Sequence, residues 1–209
     1  MLLNNETVSK TIFRKKGAKV STIAISRKEL IENKVVVSML GVACFTLLTW
    51  LGTYIYIPLN GTPVPITTQT LFVFLSGAIL GRKFGALSQA LYLTLGAIGI
   101  PLFVSGSFGV LYLLGPTGGY ILGFVAASYI IGRILENRKG LISIIFAFVI
   151  GAIVIFTLGA GWLAFGLGFG IKKAIYLGVL PFIPGCIIKI TIAATIAKSC
   201  LKRSKQLFY

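Results

Sequence analysis

The sequence contains no histidine and no aspartate, and only four of its 209 residues are glutamate. Its apolar part therefore lacks the residues from which a carboxylate pair, a Ser/His/Asp triad or a histidine-rich metal site is built. We predict on this basis that the protein is not an enzyme and uses no cofactor. The three cysteines are odd in number and lack CxxC spacing, which indicates free thiols rather than a disulfide framework or a zinc site.

Charged residues are scarce, and their placement leaves long uncharged runs. Hydrophobic residues make up 56% of the chain, and the mean hydropathy is +0.97. Three runs of 47, 49 and 32 residues, at 35–81, 84–132 and 140–171, carry no charge. The net charge is +16, and the lysine and arginine residues that produce it lie at the ends of these runs. They do not cluster on a polar surface, so nucleic acid is not an expected partner. The composition predicts a protein that lies in the lipid bilayer.

A helix needs about 20 apolar residues to cross a hydrocarbon core of about 30 Å. The two longer runs can each hold two helices and a short turn, and the third run holds one. A sixth helix fits after residue 173, interrupted only by Lys189. The sequence thus predicts an all-α membrane protein with six transmembrane helices. We place them at 35–59, 66–81, 84–100, 117–135, 141–167 and 174–201.

Lysine and arginine are distributed unevenly about the predicted helices. Seventeen lie on one side, in the amino-terminal tail, in the turns at 82–83 and 133–139, and after residue 197. Only Lys172 and Lys173 lie on the other side. Cytoplasmic loops retain basic residues, so we predict that both termini are cytoplasmic. The expected organisation is a basic tail at 1–34, a six-helix transmembrane domain at 35–201 and a second basic tail at 202–209.

Three segments rich in proline, glycine or threonine lie at the outer amino-terminal ends of three predicted helices. They are PVPITTQ (63–69), GPTGGY (115–120) and LPFIPGCIIK (180–189). Helix amino termini expose unpaired N–H groups and a partial positive charge, which favour an anion. Non-helical backbone at membrane depth survives only inside protein or beside a water-filled cavity. The three segments together predict an outward-facing chamber that accepts an anionic ligand.

Lys189 lies within the last predicted helix. A charge near the middle of a span costs about 2.5 to 3.5 kcal/mol on insertion scales, so we expect this residue to face the protein interior with a partner. Three of the four glutamates are in the amino-terminal tail, and Glu136 is at the cytoplasmic end of the fourth helix. The pattern predicts that a carboxylate of a bound ligand completes the pair. The alternatives are a lysine side chain that reaches the membrane interface and a buried lysine that is uncharged.

The three segments, in this order, resemble the BioY family of biotin transporters, and the resemblance covers about 155 residues from the first predicted helix to the end. The resemblance implies the S component of an energy-coupling factor (ECF) transporter, which is a six-helix protein of the bacterial cell (inner) membrane with an outward-facing chamber for biotin. It also implies a transmembrane coupling subunit and two ATPase subunits as partners. The chain has no GxxxxGKS or GxxxxGKT phosphate loop, so the energy of ATP would have to come from such partners.

Candidate ligand-binding residues follow from the resemblance position by position. Lys189 matches the lysine of the family's Pro-Gly-Asp-x-x-Lys element, and Ser107 falls in a glycine-rich loop that often holds a polar ligand contact. Gln69 and Tyr120 belong to matching motifs. Cys186 stands where the family usually has aspartate. A thiol is a weak acceptor for ligand N–H groups, so this departure puts the identity of the ligand in question.

The residues leave three alternatives to biotin uptake. Cys186 motivates the first, which is an S component for another small anionic vitamin or for a biotin precursor. The second is a membrane enzyme that acts on lipid with a cysteine nucleophile, although no base is evident beside such a cysteine. The third is a structural membrane subunit, which would bind no small molecule.

Overall fold

The computed structural model describes residues 34–138 and 140–208, and residues from Ser38 onward form one compact unit. The predicted basic tail lies outside the described residues except for Lys34. Within these described residues, seven α-helices and two short strands follow one another. They are α1 (Lys34–Leu51), β1 (Tyr56–Ile57), β2 (Ile66–Thr67), α2 (Gln69–Ala97), α3 (Val110–Leu113), α4 (Gly118–Glu136), α5 (Leu141–Gly161), α6 (Ile171–Gly178) and α7 (Ile183–Phe208).

The longest helix, α2, is a hairpin of two arms, 69–80 and 82–97. The turn between them is at Gly81, whose φ of 78° and ψ of −179° are open to glycine but not to residues with a Cβ. The arms pack against each other, since a Cβ on Gly85 would lie 2.8 Å from the backbone oxygen of Ser76. The second and third predicted spans therefore exist as separate, short helices.

The described residues contain six helical segments that match the predicted six-span bundle. They are α1, the two arms of α2, α4, α5 and α7. By length and apolar composition, four stretches are able to cross a membrane, at 69–97, 118–136, 141–166 and 171–201, and 35–51 forms a shorter apolar helix. The hairpin turn divides the first of these four stretches into two crossings. Many large side chains on the bundle surface are apolar, including Leu40, Ile142 and Ile188, which is the composition that lipid contact requires.

The predicted end of the first span at residue 59 is wrong. Helix α1 ends at Leu51 because the chain turns at Gly52, where a Cβ would lie 3.0 Å from the backbone of Gln69. The apolar residues that follow do not extend the helix. Tyr56–Ile57 instead pairs antiparallel with Ile66–Thr67, so the second span also begins later than residue 66.

The predicted start of the sixth span at residue 174 is also wrong. Residues 171–178 form the separate helix α6, and a 3₁₀ turn at Leu180–Phe182 joins it to α7. Pro181 and Pro184 mark this junction, because proline fits the first turn of a helix but not its interior. Helix α7 begins at Ile183 and continues into the predicted carboxyl-terminal tail as far as Phe208.

Helix α4 packs against α2 on one side and α5 on the other, and α2 also packs against α7. At the predicted cytoplasmic end of α4, the Glu136 carboxylate lies 2.9 Å from Nε of Arg82 and 3.2 Å from Nη1 of Arg133. Arg82 belongs to the hairpin turn of α2. The Arg82–Glu136 ion pair therefore ties that turn to α4 at the end of the bundle away from the outer segments.

Candidate functional site

The amino-terminal ends of α2, α4 and α7 surround one chamber. Its lining includes Gln69 and Thr70 from the first turn of α2, Thr117 directly before α4, and Lys189 from the second turn of α7. The space between the lining side chains is about 670 Å³, including the part open to solvent. The prediction that all three outer segments meet at one chamber is confirmed.

Lys189 places a positive charge at this chamber. Its Nζ atom donates hydrogen bonds of 2.8 Å to the backbone oxygen of Thr67 and of 2.8 Å to Oγ1 of Thr70. Both acceptors are neutral. The acidic residue of the described part of the chain, Glu136, is engaged with Arg82 at the cytoplasmic end. An ammonium group has three N–H donors, so these two hydrogen bonds leave one donor of Lys189 for a ligand.

Gln69 is buried in the wall of the chamber. Its Nε2 atom donates to the hydroxyl of Tyr92 over 2.7 Å, and its Oε1 atom accepts from Oγ1 of Thr67 over 3.2 Å. The Tyr92 hydroxyl donates in turn to the backbone oxygen of Leu102 over 3.2 Å. This chain of hydrogen bonds joins β2, both arms of α2 and the loop that follows α2. Gln69 therefore holds three segments of the wall in place.

Tyr120 contributes its ring to the chamber rather than a free hydroxyl. The hydroxyl donates a 2.7 Å hydrogen bond to the backbone oxygen of Gly178, which ties α4 to the end of α6. The ring lies 6.3 Å from that of Phe182, between centroids, and both residues line the chamber. The sequence motif thus supplies an apolar surface at this position.

Aromatic side chains form two groups on the chamber wall. In the first, Phe103 stacks on Tyr112 with ring centroids 4.9 Å apart and contacts Tyr92 edge-on at 5.7 Å. In the second, Phe182 lies between Tyr120 and Phe156. These rings give the chamber a mostly apolar wall, which suits a ligand with an apolar ring system.

Cys186 is buried, lines the chamber and lies one helical turn before Lys189 on α7. Residues three apart on a helix share a face, which explains why both reach the same space. Ser107, in contrast, is not among the residues that line the chamber. Its backbone oxygen accepts from the N–H of Phe103 over 3.0 Å, and so it shapes the turn that presents Phe103 and Val104 to the chamber.

Several polar side chains of the predicted helices form hydrogen bonds with other helices and do not line the chamber. Gln89 donates to Oγ1 of Thr49 and to Oγ of Ser76, each over 3.2 Å. Ser76 is 2.9 Å from the hydroxyl of Ser128. This buried cluster joins α1, both arms of α2 and α4, as polar residues between membrane helices commonly do.

Sequence reasoning missed Thr70 and Tyr112, which both line the chamber. Thr70 directly follows the PVPITTQ segment, so extending that segment by one residue would have found it. Tyr112 precedes GPTGGY by three residues, and nothing in its sequence context marks it. Its position depends on the loop after α2, which hydropathy and motif spacing do not describe.

Comparison with known proteins identifies the family. A family model described as the BioY family matches residues 22–206. The chain belongs to the BioY family. It is 42% identical to "Biotin transporter BioY" of Thermotoga maritima over 153 residues, which cover 73% of this chain and 89% of that protein. It is 44% identical to "Probable biotin transporter BioY" of Pyrococcus horikoshii over 157 residues, which cover 75% and 91%.

The fold of this BioY protein resembles a solved structure described as the S-component for biotin from an ECF-type ABC transporter. The TM-score is 0.78 at 26% sequence identity, and the match covers 85% of this chain and 98% of that one. The predicted family and the predicted S-component fold are therefore confirmed.

Proposed function

We propose that this BioY protein captures biotin from the outer side of the membrane as the substrate-specific S component of an ECF transporter. It is a multi-pass membrane protein and not an enzyme. The chamber carries the proposal, because the three BioY-like segments meet there and Lys189 adds a charge that no carboxylate of the described residues neutralises.

The chemistry of the chamber suits a molecule such as biotin. Biotin has an apolar sulfur-containing ring, a polar ureido group and a carboxylate on a flexible chain. The aromatic groups around Phe103 and Phe182 offer the ring an apolar surface. Lys189 and the amino termini of α2, α4 and α7 favour the carboxylate.

The partners of this S component are a transmembrane coupling subunit and two ATPase subunits. The sequence has no phosphate-binding loop of its own, so ATP hydrolysis belongs to those partners. Small residues let another helix approach closely, but Ser38, Ala193 and Ala197 are already buried in this chain. Gly41 and Cys44 on α1 are more accessible.

Equilibrium binding of labelled biotin to the purified, detergent-solubilised chain tests the function. We expect saturable binding of one biotin per chain, displaced by unlabelled biotin. Other small anionic vitamins and biotin precursors serve as competitors, because Cys186 makes them the relevant alternatives. Tight binding of one of these with no binding of biotin would contradict the assignment. The absence of saturable binding to any of them would indicate a structural subunit.

We expect biotin to protect Cys186 from a thiol-specific methanethiosulfonate reagent. Cys186 lines the chamber, whereas Cys44 and Cys200 are exposed on helix surfaces. Replacing the two exposed cysteines by alanine leaves Cys186 as the sole target. Intact-mass spectrometry should then show slower labelling when biotin is saturating, and labelled protein should no longer bind biotin. Equal labelling rates with and without biotin would place the ligand elsewhere.

We expect Thr70→Val to weaken biotin binding about five- to tenfold. The change keeps the size of the side chain but removes one of the two acceptors that hold the Lys189 ammonium group, and a hydrogen bond contributes about 0.5–1.5 kcal/mol. Titration calorimetry measures the loss. Thr70→Ser keeps the hydroxyl and should bind biotin like the unaltered chain. Equal losses in both variants would indicate that packing at this position, not the hydrogen bond, matters.

A further inference from the structure

A second groove lies on the surface of the bundle, between α4 and the second arm of α2. Its lining is apolar apart from one tyrosine hydroxyl, and consists of Ala86, Leu122, Val125, Ala126, Tyr129 and Ile130. The space between these side chains is about 810 Å³, including the part open to the surroundings. The groove shares no residue with the chamber, to which α4 presents Tyr120 and Phe124 instead.

The groove has the length of one lipid chain. Leu122 and Tyr129 are exposed at its edge, while the two alanines leave room between the helices. Leu122 lies eleven residues before Arg133 on α4, which is about 16 Å along the helix axis. One leaflet supplies half of a hydrocarbon core of about 30 Å. An acyl chain whose headgroup lies near Arg133 therefore reaches the far end of the groove.

Two basic side chains lie at the cytoplasmic end of the groove. Lys83 is three residues before Ala86 on α2, and Arg133 is three residues after Ile130 on α4, so each lies one turn beyond the lining on the same helix. The two helical segments run in opposite directions, since the Arg82–Glu136 ion pair joins the start of one to the end of the other. The two cations therefore flank the same end.

The hydrogen-bond donors of both side chains are accessible. Lys83 is exposed and forms no ion pair with the described residues, and the side chain of Arg133 is 56% exposed. Arg133 pairs with Glu136 through Nη1, and a guanidinium group has five N–H donors. With Arg82, three cations surround the one carboxylate of Glu136. This end of the groove thus favours an anion such as a phosphate group.

Charge also decides which molecule fills the groove. A second copy of the chain would bring the same cations to this surface, and the sequence before residue 34 is itself basic, so both would be repelled. Phospholipids of the cytoplasmic leaflet combine an acyl chain with a headgroup that is often anionic. Basic residues between membrane helices on that side bind such headgroups.

We propose that this groove binds one anionic phospholipid of the cytoplasmic leaflet. The acyl chain lies between α4 and the second arm of α2, over Ala86 and Ala126, and the phosphate lies between Lys83 and Arg133. The lipid joins the hairpin turn of α2 to α4 beside the ion pair that already connects them. This site is separate from the chamber and does not depend on the proposed function.

Native mass spectrometry of the purified chain tests the site. The chain is mixed with equal amounts of 1-palmitoyl-2-oleoyl-phosphatidylglycerol and of the phosphatidylcholine with the same acyl chains. Each basic residue near the membrane surface changes the affinity for an anionic lipid about fivefold, so we expect one phosphatidylglycerol per chain and a preference of about 20- to 30-fold. The double variant Lys83→Gln, Arg133→Gln should lose this preference.

Lys83→Gln alone breaks no ion pair of the described residues and should lower the preference about fivefold. Ala126→Leu fills the groove without changing the charge, so it should retain neither lipid. The matched controls are Lys198→Gln on α7 and Ala43→Leu on α1, which alter exposed residues outside the groove and should retain phosphatidylglycerol like the unaltered chain. Far-UV circular dichroism checks that each variant keeps its helices.

Three results would overturn the proposal. The first is an unaltered chain that does not prefer phosphatidylglycerol. The second is an unchanged preference in Lys83→Gln and in the double variant, and the third is normal lipid retention in Ala126→Leu. A dimer of the unaltered chain that dissociates in Ala126→Leu would assign the groove to a second copy and would also contradict the proposal.

Discussion

We expect Lys189→Met to weaken biotin binding about 100-fold and to affect binding of an uncharged biotin amide much less. Methionine preserves most of the length and apolar volume of the side chain but removes the charge. A hydrogen bond between charged groups contributes about 1.5–3 kcal/mol, and 2.7 kcal/mol corresponds to a factor of 100. The amide cannot form an ion pair with Lys189, so its affinity depends on the rest of the chamber. Titration calorimetry with both ligands measures the difference.

Lys172→Met is the matched control for this experiment. Lys172 is exposed on α6, near the outer end of the bundle, and does not line the chamber. We expect it to leave both affinities unchanged. Equal losses for biotin and its amide in Lys189→Met would show that this lysine does not pair with the carboxylate. The ligand would then present its ureido end to Lys189.

Gly119→Ala is expected to destabilise the protein by about 3 kcal/mol, the upper part of the range for overpacked cores. A Cβ at this position would lie 2.3 Å from Cβ of Trp162 and 2.6 Å from the backbone oxygen of Leu158, so α4 and α5 would have to separate. Trp162 is not free to move, because its Nε1 atom donates a 3.0 Å hydrogen bond to the oxygen of Gly115. Thermal unfolding in detergent should show a midpoint lowered by roughly 5–10 °C.

Gly161→Ala provides the comparison for Gly119→Ala. Gly161 is helical, and a Cβ there would meet nothing within 4 Å. Alanine favours helix over glycine, so this variant should be as stable as the unaltered chain or slightly more stable. A similar loss in both variants would mean that helix propensity or detergent sensitivity, and not the contact between α4 and α5, explains the effect.

The arrangement of the chamber could be predicted because the sequence encodes it locally. Charge-free runs and the distribution of lysine and arginine set the number and direction of the helices, and that order alone places three helix amino termini on the outer side. The short second and third spans follow from the charged pair after Gly81. The isolated charge of Lys189 then indicates an interior position, because membrane helices rarely expose such a group to lipid.

The parts that could not be predicted depend on contacts between distant segments. The apolar residues after Leu51 have the composition of a helix, yet the close approach of Gly52 to Gln69 turns the chain and lets Tyr56–Ile57 pair with Ile66–Thr67. Hydropathy contains no information about that pairing. The roles of Tyr112 and Tyr120 likewise depend on partners, Phe103 and Gly178, that only the folded chain brings near.

A structure of this BioY protein with biotin bound tests the central claim most directly. The account predicts the ligand between the two aromatic groups, with a carboxylate oxygen within hydrogen-bond distance of Nζ of Lys189. Biotin bound in this chamber with its carboxylate away from Lys189, or bound outside the chamber altogether, would contradict it.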